Sequence, residues 1–136
     1  MALATLSVVG ACAIMPTDYT LEVRQAVIGH LTQQLTGVDV YGEFVPANPS
    51  WPFIRYSSTT LPWEATCYSG SQVAADVHVF ANGPSTDQAA TIAAEVVHAM
   101  ESLVAGEVEW VGNIGPLRDE GPDKWHVVVQ FRIVWS

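Results

Sequence analysis

The apolar positions of this chain repeat with two periods, and the switches between them mark its elements. Spacing by two is clearest at the end of the chain. From Trp125 to Trp135, the residues Trp125, Val127, Val129, Phe131, Ile133 and Trp135 alternate with His126, Val128, Gln130, Arg132 and Val134. Successive side chains of a β-strand point to opposite faces, so three large aromatics and three β-branched residues share one side. A face that apolar must be covered, and the rest of the fold is organised around it. The other face is polar except for Val128 and Val134, which predicts partial cover by a loop, an arm or a second subunit.

Spacing by three and four marks two helices. The first starts at Thr17 or Asp18, either a good N-cap, and runs to about Leu35, with Gly37 as its stop. Tyr19, Val23, Val27, Leu31 and Leu35 form its stripe, widened by Leu21 and Ile28. The second is opened by a capping box of Ser85 and Gln88, reaches about Val104 and is closed by Gly106. Ala89, Ile92, Ala93, Val96, Val97, Met100, Leu103 and Val104 fall on one side of it, and Glu95, His98, Glu101 and Ser102 on the other.

Strand-like alternation covers Val38 to Val45, Phe53 to Ser58, Val73 to Phe80 and Glu107 to Ile114. Pro46 to Pro52 reads as a turn-rich connection, Ser57 to Ser71 as a loop carrying Trp63, and Gly115 to Asp123 as a polar loop. The order is therefore helix, three strands, helix, two strands. Strands that follow one another without an intervening helix pair most simply as antiparallel neighbours, which leaves both helices on one face. The expected fold class is α+β, a mainly antiparallel sheet of about five strands with two helices packed on one side.

Length and charge narrow the function. A chain of 136 residues is one domain's worth, and such a domain buries roughly two-thirds of its unfolded surface without needing a disulfide or a metal. We assign residues 17–136 to that domain and residues 1–16 to an apolar N-terminal arm or extension. Met1 to Met15 has no Lys or Arg, is too short to span a bilayer and lacks the basic start of a secretory signal. Val9-Gly10-Ala11-Cys12 does resemble the cleavage box of a bacterial lipoprotein, so a lipid-anchored or periplasmic small-ligand or interaction module stands as the alternative function. The net charge of −9, with five Lys and Arg in the chain, weighs against a tight hold on nucleic acid or on an anionic membrane. Cys12 and Cys67 make at most one bridge and have no metal-ligand spacing around them; Cys67 reads as a free thiol in a reducing compartment.

Candidate chemistry is sparse. Glu95 and His98 have the Glu-x-x-His spacing of di-iron helices but lie on the polar side of theirs, without a second copy. His78 and His126 sit on the less apolar faces of strands that are possible neighbours, with no third ligand at a recognisable spacing. Gly70-Ser71-Gln72 is not a nucleophile elbow, and the glycines fall at element ends rather than in a phosphate-binding fingerprint. No catalytic, metal or cofactor site is expected, and no enzyme. What stands out is apolar surplus: five Trp, including Trp51 and Trp63 in connections. Trp at such positions is enriched in interfaces. The candidate interface residues are Trp51, Trp63, Val128 and Val134.

The order of features from Asp18 to Trp135 resembles the tail-completion or tail-terminator proteins of long-tailed bacteriophages and gene transfer agents. The resemblance is carried by the opening helix followed by Val40-Tyr41 and a Pro-rich turn, by Pro52-Phe53-Ile54, by Trp63 and Gly70 before Val77-His78-Val79-Phe80, by the helix of Gln88 to Leu103, and by Trp125 to Arg132. It implies a homo-oligomeric ring, usually a hexamer, that caps the tail tube, stops its polymerisation and meets the head-tail connector or stopper protein. It implies no catalytic residues, no membrane partner and a place in the virion or phage-like particle, assembled in the bacterial cytoplasm. DNA would pass through without specific binding. Glu107, Glu109, Asp119, Glu120 and Asp123, set against Arg118 and Lys124, are then candidates for an acidic lumen or loop.

Overall fold

The computed structural model describes residues 19–61, 71–103, 106–119 and 121–135. Its elements are α1 (Thr20–Gln34), β1 (Asp39–Tyr41), β2 (Phe53–Leu61), β3 (Ser71–Asn82), α2 (Asp87–Glu101), β4 (Glu107–Arg118) and β5 (Lys124–Trp135). The strands form one sheet in the order β1-β2-β3-β5-β4. This is the expected α+β class. β5 lies inside the sheet, with β3 along one side and β4 along the other.

The terminal alternation sets the layers. Val127, Val129, Phe131 and Ile133 are buried, and Trp125 and Trp135 pack against the core at either end. They share their face with Val73, Ala75, Val77 and Val79 of β3 and with Ile54 and Tyr56 of β2, because directly paired residues point the same way. Both helices cover that face. α1 contributes Val23, Val27 and Leu31, and α2 contributes Ala89, Ile92, Ala93, Val96, Ala99 and Met100. The polar side of α2 is exposed at Glu95, His98, Glu101 and Ser102, as its wheel predicts. His30 fastens the two helices: its Nε2–H donates at 2.7 Å to the Ala99 carbonyl, an acceptor at the end of α2 that also takes the Ser102 N–H at 3.1 Å.

Four local expectations are corrected. The Ser85 and Gln88 capping box does not form. Ser85 Oγ accepts instead from the Asp87 N–H at 3.3 Å, and Gln88 Oε1 takes the Asn82 N–H at 3.0 Å, stitching the helix start to the end of β3. β1 is three residues rather than eight and pairs with β2 in parallel, because the connection of residues 42–52 is long enough to carry the chain back before β2 begins. β2 continues to Leu61 and β3 begins at Ser71, each longer than its alternation suggests. β4 runs on to Arg118 through two irregularities, at Val111 and at Gly115–Pro116, where the sequence reads as loop. Thr17, Asp18, Trp63, Cys67, Val104 and the segment 1–16 lie outside the described residues.

Among the described residues Tyr56 is the polar oddity of the core. Its ring is fully buried, and its hydroxyl has no hydrogen-bond partner of good geometry, although Ser58 and Arg24 lie close enough to act on it electrostatically. Burial pushes its pKa above the ordinary tyrosine value.

Candidate assembly surface

The sheet face opposite the helices carries the unusual chemistry. Register places Phe53, Phe80, His126 and Leu117 in one row across β2, β3, β5 and β4, and Arg55, His78, Val128 and Ile114 in the next. Phe53 stacks on Phe80 at 4.7 Å between centroids, and Phe80 on His126 at 4.3 Å. Trp51 closes the row edge-on against Phe53 (5.1 Å) and Phe80 (6.0 Å), with Lys124 Nζ over its ring at 4.3 Å. Phe53 is thereby buried on what is otherwise the open side. Among the described residues no helix covers this face.

The two histidines come together here. His78 Nδ1 is 3.0 Å from His126 Nε2, and Ser57 Oγ is 3.3 Å from His78 Nε2. Burial first, then the Arg55 guanidinium and His126, push the His78 pKa down to about 4, against a smaller opposing pull from Asp76. Burial also lowers His126, with Asp119 pulling the other way. Both imidazoles are neutral at pH 7.

Outside this row lies an exposed edge. Among the described residues β4 has no strand on its outer side, and Trp110, Val111, Ile114 and Leu117 are about half exposed along it. Ile114 and Leu117 continue the open face beyond Val128 and His126. On the helix side, Trp110 faces a groove of about 300 Å³ floored by Ala90, Ala93, Ala94 and Val97 and walled by Pro116. The opposite edge presents Phe44, 85% exposed. A long unpaired edge with apolar residues on both sides is a template for association unless something covers it.

Of the four candidate interface residues, Trp51, Val128 and Val134 fall on the open face, the last two separated by the rows of Gln130 and Arg132; Trp63 lies outside the described residues. The acidic candidates do not form one patch. Glu107 and Glu109 start β4, with Glu109 paired to Arg132, while Asp119 and Asp123 sit in the turn at the far end of the β4–β5 hairpin; Glu120 is outside the described residues. Sequence reasoning did not single out Trp110, Leu117 or Phe44. The available signal was that β4 has apolar residues on both faces.

Among the described residues no three His, Cys, Asp or Glu side chains gather as a metal site. The fold and its surfaces define a small α+β domain whose distinctive features are sheet edges and faces suited to association. Over residues 23–136 the chain matches the family described as Tail completion protein gp17, and it belongs to that family. It is a component of bacteriophage-type tails. No curated protein matches the chain at a significant level.

Proposed function

We propose that the chain forms a closed ring, a hexamer, on the last layer of the tail tube, where it ends tube growth and presents the surface that joins the head-tail connector or stopper protein. Family membership across residues 23–136 carries this reading, and the exposed β4 edge supports it. A ring needs a heterologous interface, one patch meeting a different patch on the next copy, and the two edges of this sheet differ as such an interface requires. The role is structural, without catalysis or cofactor, in a phage or gene transfer agent particle assembled in the bacterial cytoplasm. Among the described residues no helix is long and apolar enough to cross a membrane.

DNA passes through such a ring without specific binding. The net charge of −9 per chain gives phosphates no counterions to release and hence no salt-linked affinity. Residues 1–16, uncharged throughout, act as an arm across the neighbouring copy. Electron microscopy of particles lacking the protein tests the main claim: overlong tubes without heads are expected, and normal-length tails joined to heads refute it. Deleting residues 2–14 should weaken ring incorporation and leave the domain folded.

A further inference from the structure

We infer that His78 and His126 form a two-imidazole site on the open sheet face for a divalent first-row transition metal ion, with Ni²⁺ and Cu²⁺ fitting best. The observation is the position of two ring nitrogens. His78 on β3 and His126 on β5 are diagonal cross-strand neighbours, since His78 pairs with Val128 and Phe80 with His126. Their Nδ1 and Nε2 atoms lie 3.0 Å apart, with the rings inclined by 29°. At a metal–nitrogen length of about 2.05 Å, nitrogens that far apart subtend about 94° at a shared ion. Neighbouring positions of a square-planar or six-coordinate ion require about 90°, whereas a tetrahedral ion wants its ligands about 3.35 Å apart. With the centroids 5.2 Å apart the two lone pairs point nearly at one another, so both rings must turn modestly to aim at one ion. Once they do, a nitrogen spacing kept near 3.0 Å favours tetragonal Cu²⁺ or octahedral Ni²⁺ over Zn²⁺.

The surroundings leave these nitrogens available. Ser57 Oγ engages His78 at Nε2, so Nδ1 is the nitrogen turned toward His126. In the metal-free protein one of the facing nitrogens carries a proton and donates it to the other. Binding needs both as lone pairs, which a tautomer shift within one ring supplies without release of a proton. Arg55 opposes a cation here, and Asp76 and Asp119 offset it. Phe80 stacked under His126 holds that ring in place. Water fills the remaining positions of the ion. The inference is independent of ring formation.

Calorimetric titration of tag-free protein with NiCl₂ tests it, using wild type, H78Q, H126Q and the surface control H98Q. One Ni²⁺ per chain is expected, bound at least about tenfold more weakly by H78Q and by H126Q and equally well by H98Q. Amide NMR of the wild type with substoichiometric Ni²⁺ gives a second readout that needs no variant. Paramagnetic broadening centred on His78, His126 and Val128 supports the site. Absence of binding, equal affinity in H78Q, or broadening centred elsewhere overturns it.

Discussion

Acid should destabilise this domain through His78. An unfolded histidine takes up a proton near pH 6.5, whereas the folded environment holds His78 down to about 4, chiefly by burial and then by Arg55 and His126. The unfolded chain therefore binds the proton that the native chain refuses. The stabilisation is fully present above pH 6.5, declines as pH falls toward 4 and is gone below it. Taken alone, a shift of that size removes about 1.8 kcal/mol between pH 7 and pH 5, and screening of a half-buried pair reduces this to about 1 kcal/mol. His126 shifts in the same direction and adds to the loss. Urea unfolding followed by tryptophan fluorescence at pH 7 and pH 5, with EDTA present, measures it. H78Q should cut the pH-dependent loss by about 1 kcal/mol, because glutamine keeps a polar partner for Ser57 and His126 but does not titrate. Identical pH dependence in H78Q and wild type would refute the reasoning.

The other expectations concern the core, the bulge and the edge. Tyr56→Phe removes a buried hydroxyl without a well-placed partner, so chemical unfolding should find the variant equal to wild type or up to about 1 kcal/mol more stable; a loss of 1 kcal/mol or more would mean that Ser58 bonds it after all. Gly115→Ala should cost about 2–4 kcal/mol, since its φ is +103° and a Cβ would stand 2.7 Å from the His126 carbonyl oxygen; thermal melts report it. Replacing Ile114 and Leu117 together by Ser should lower monomer stability by no more than about 2 kcal/mol, yet in complemented particles the chain should be missing from tail ends; incorporation at the wild-type level would remove β4 from the interface.

How far the sequence could be read depended on how local each signal was. β5 and the apolar side of α2 were legible because burial on one face repeats at 2 or 3.6 residues, and nothing distant is needed to see it. The extension of β4 was not, because Gly115–Pro116 has a left-handed glycine and a residue without an N–H, the usual marks of a loop. An outer edge tolerates both, since a bulge there breaks the ladder on one side alone. The aromatic row was hidden for another reason. Alternation assigns Phe80 to the polar face beside Asp76 and His78, and only register brings Phe53, His126 and Trp51 around it. The histidine pair likewise required knowing that β5, the last strand, inserts beside β3.

Hairpin geometry ties the two parts of the assembly reading together. Glu107 pairs with Val134 and Arg118 with Trp125, so the acidic residues at the start of β4 and those in the turn are separated by nine residues of β5, about 30 Å. A hairpin set radially in a ring would bring only one of these ends to the axis, and Glu109 at the first end is already matched by Arg132. A hairpin set parallel to the axis brings both ends to the channel at different heights, repelling a duplex along its path. In that orientation the outer side of β4, with Trp110, Ile114 and Leu117, faces sideways toward the next copy. An acidic lumen and a β4-mediated subunit contact thus call for the same placement of one hairpin. Loss of either would remove the geometric reason for the other.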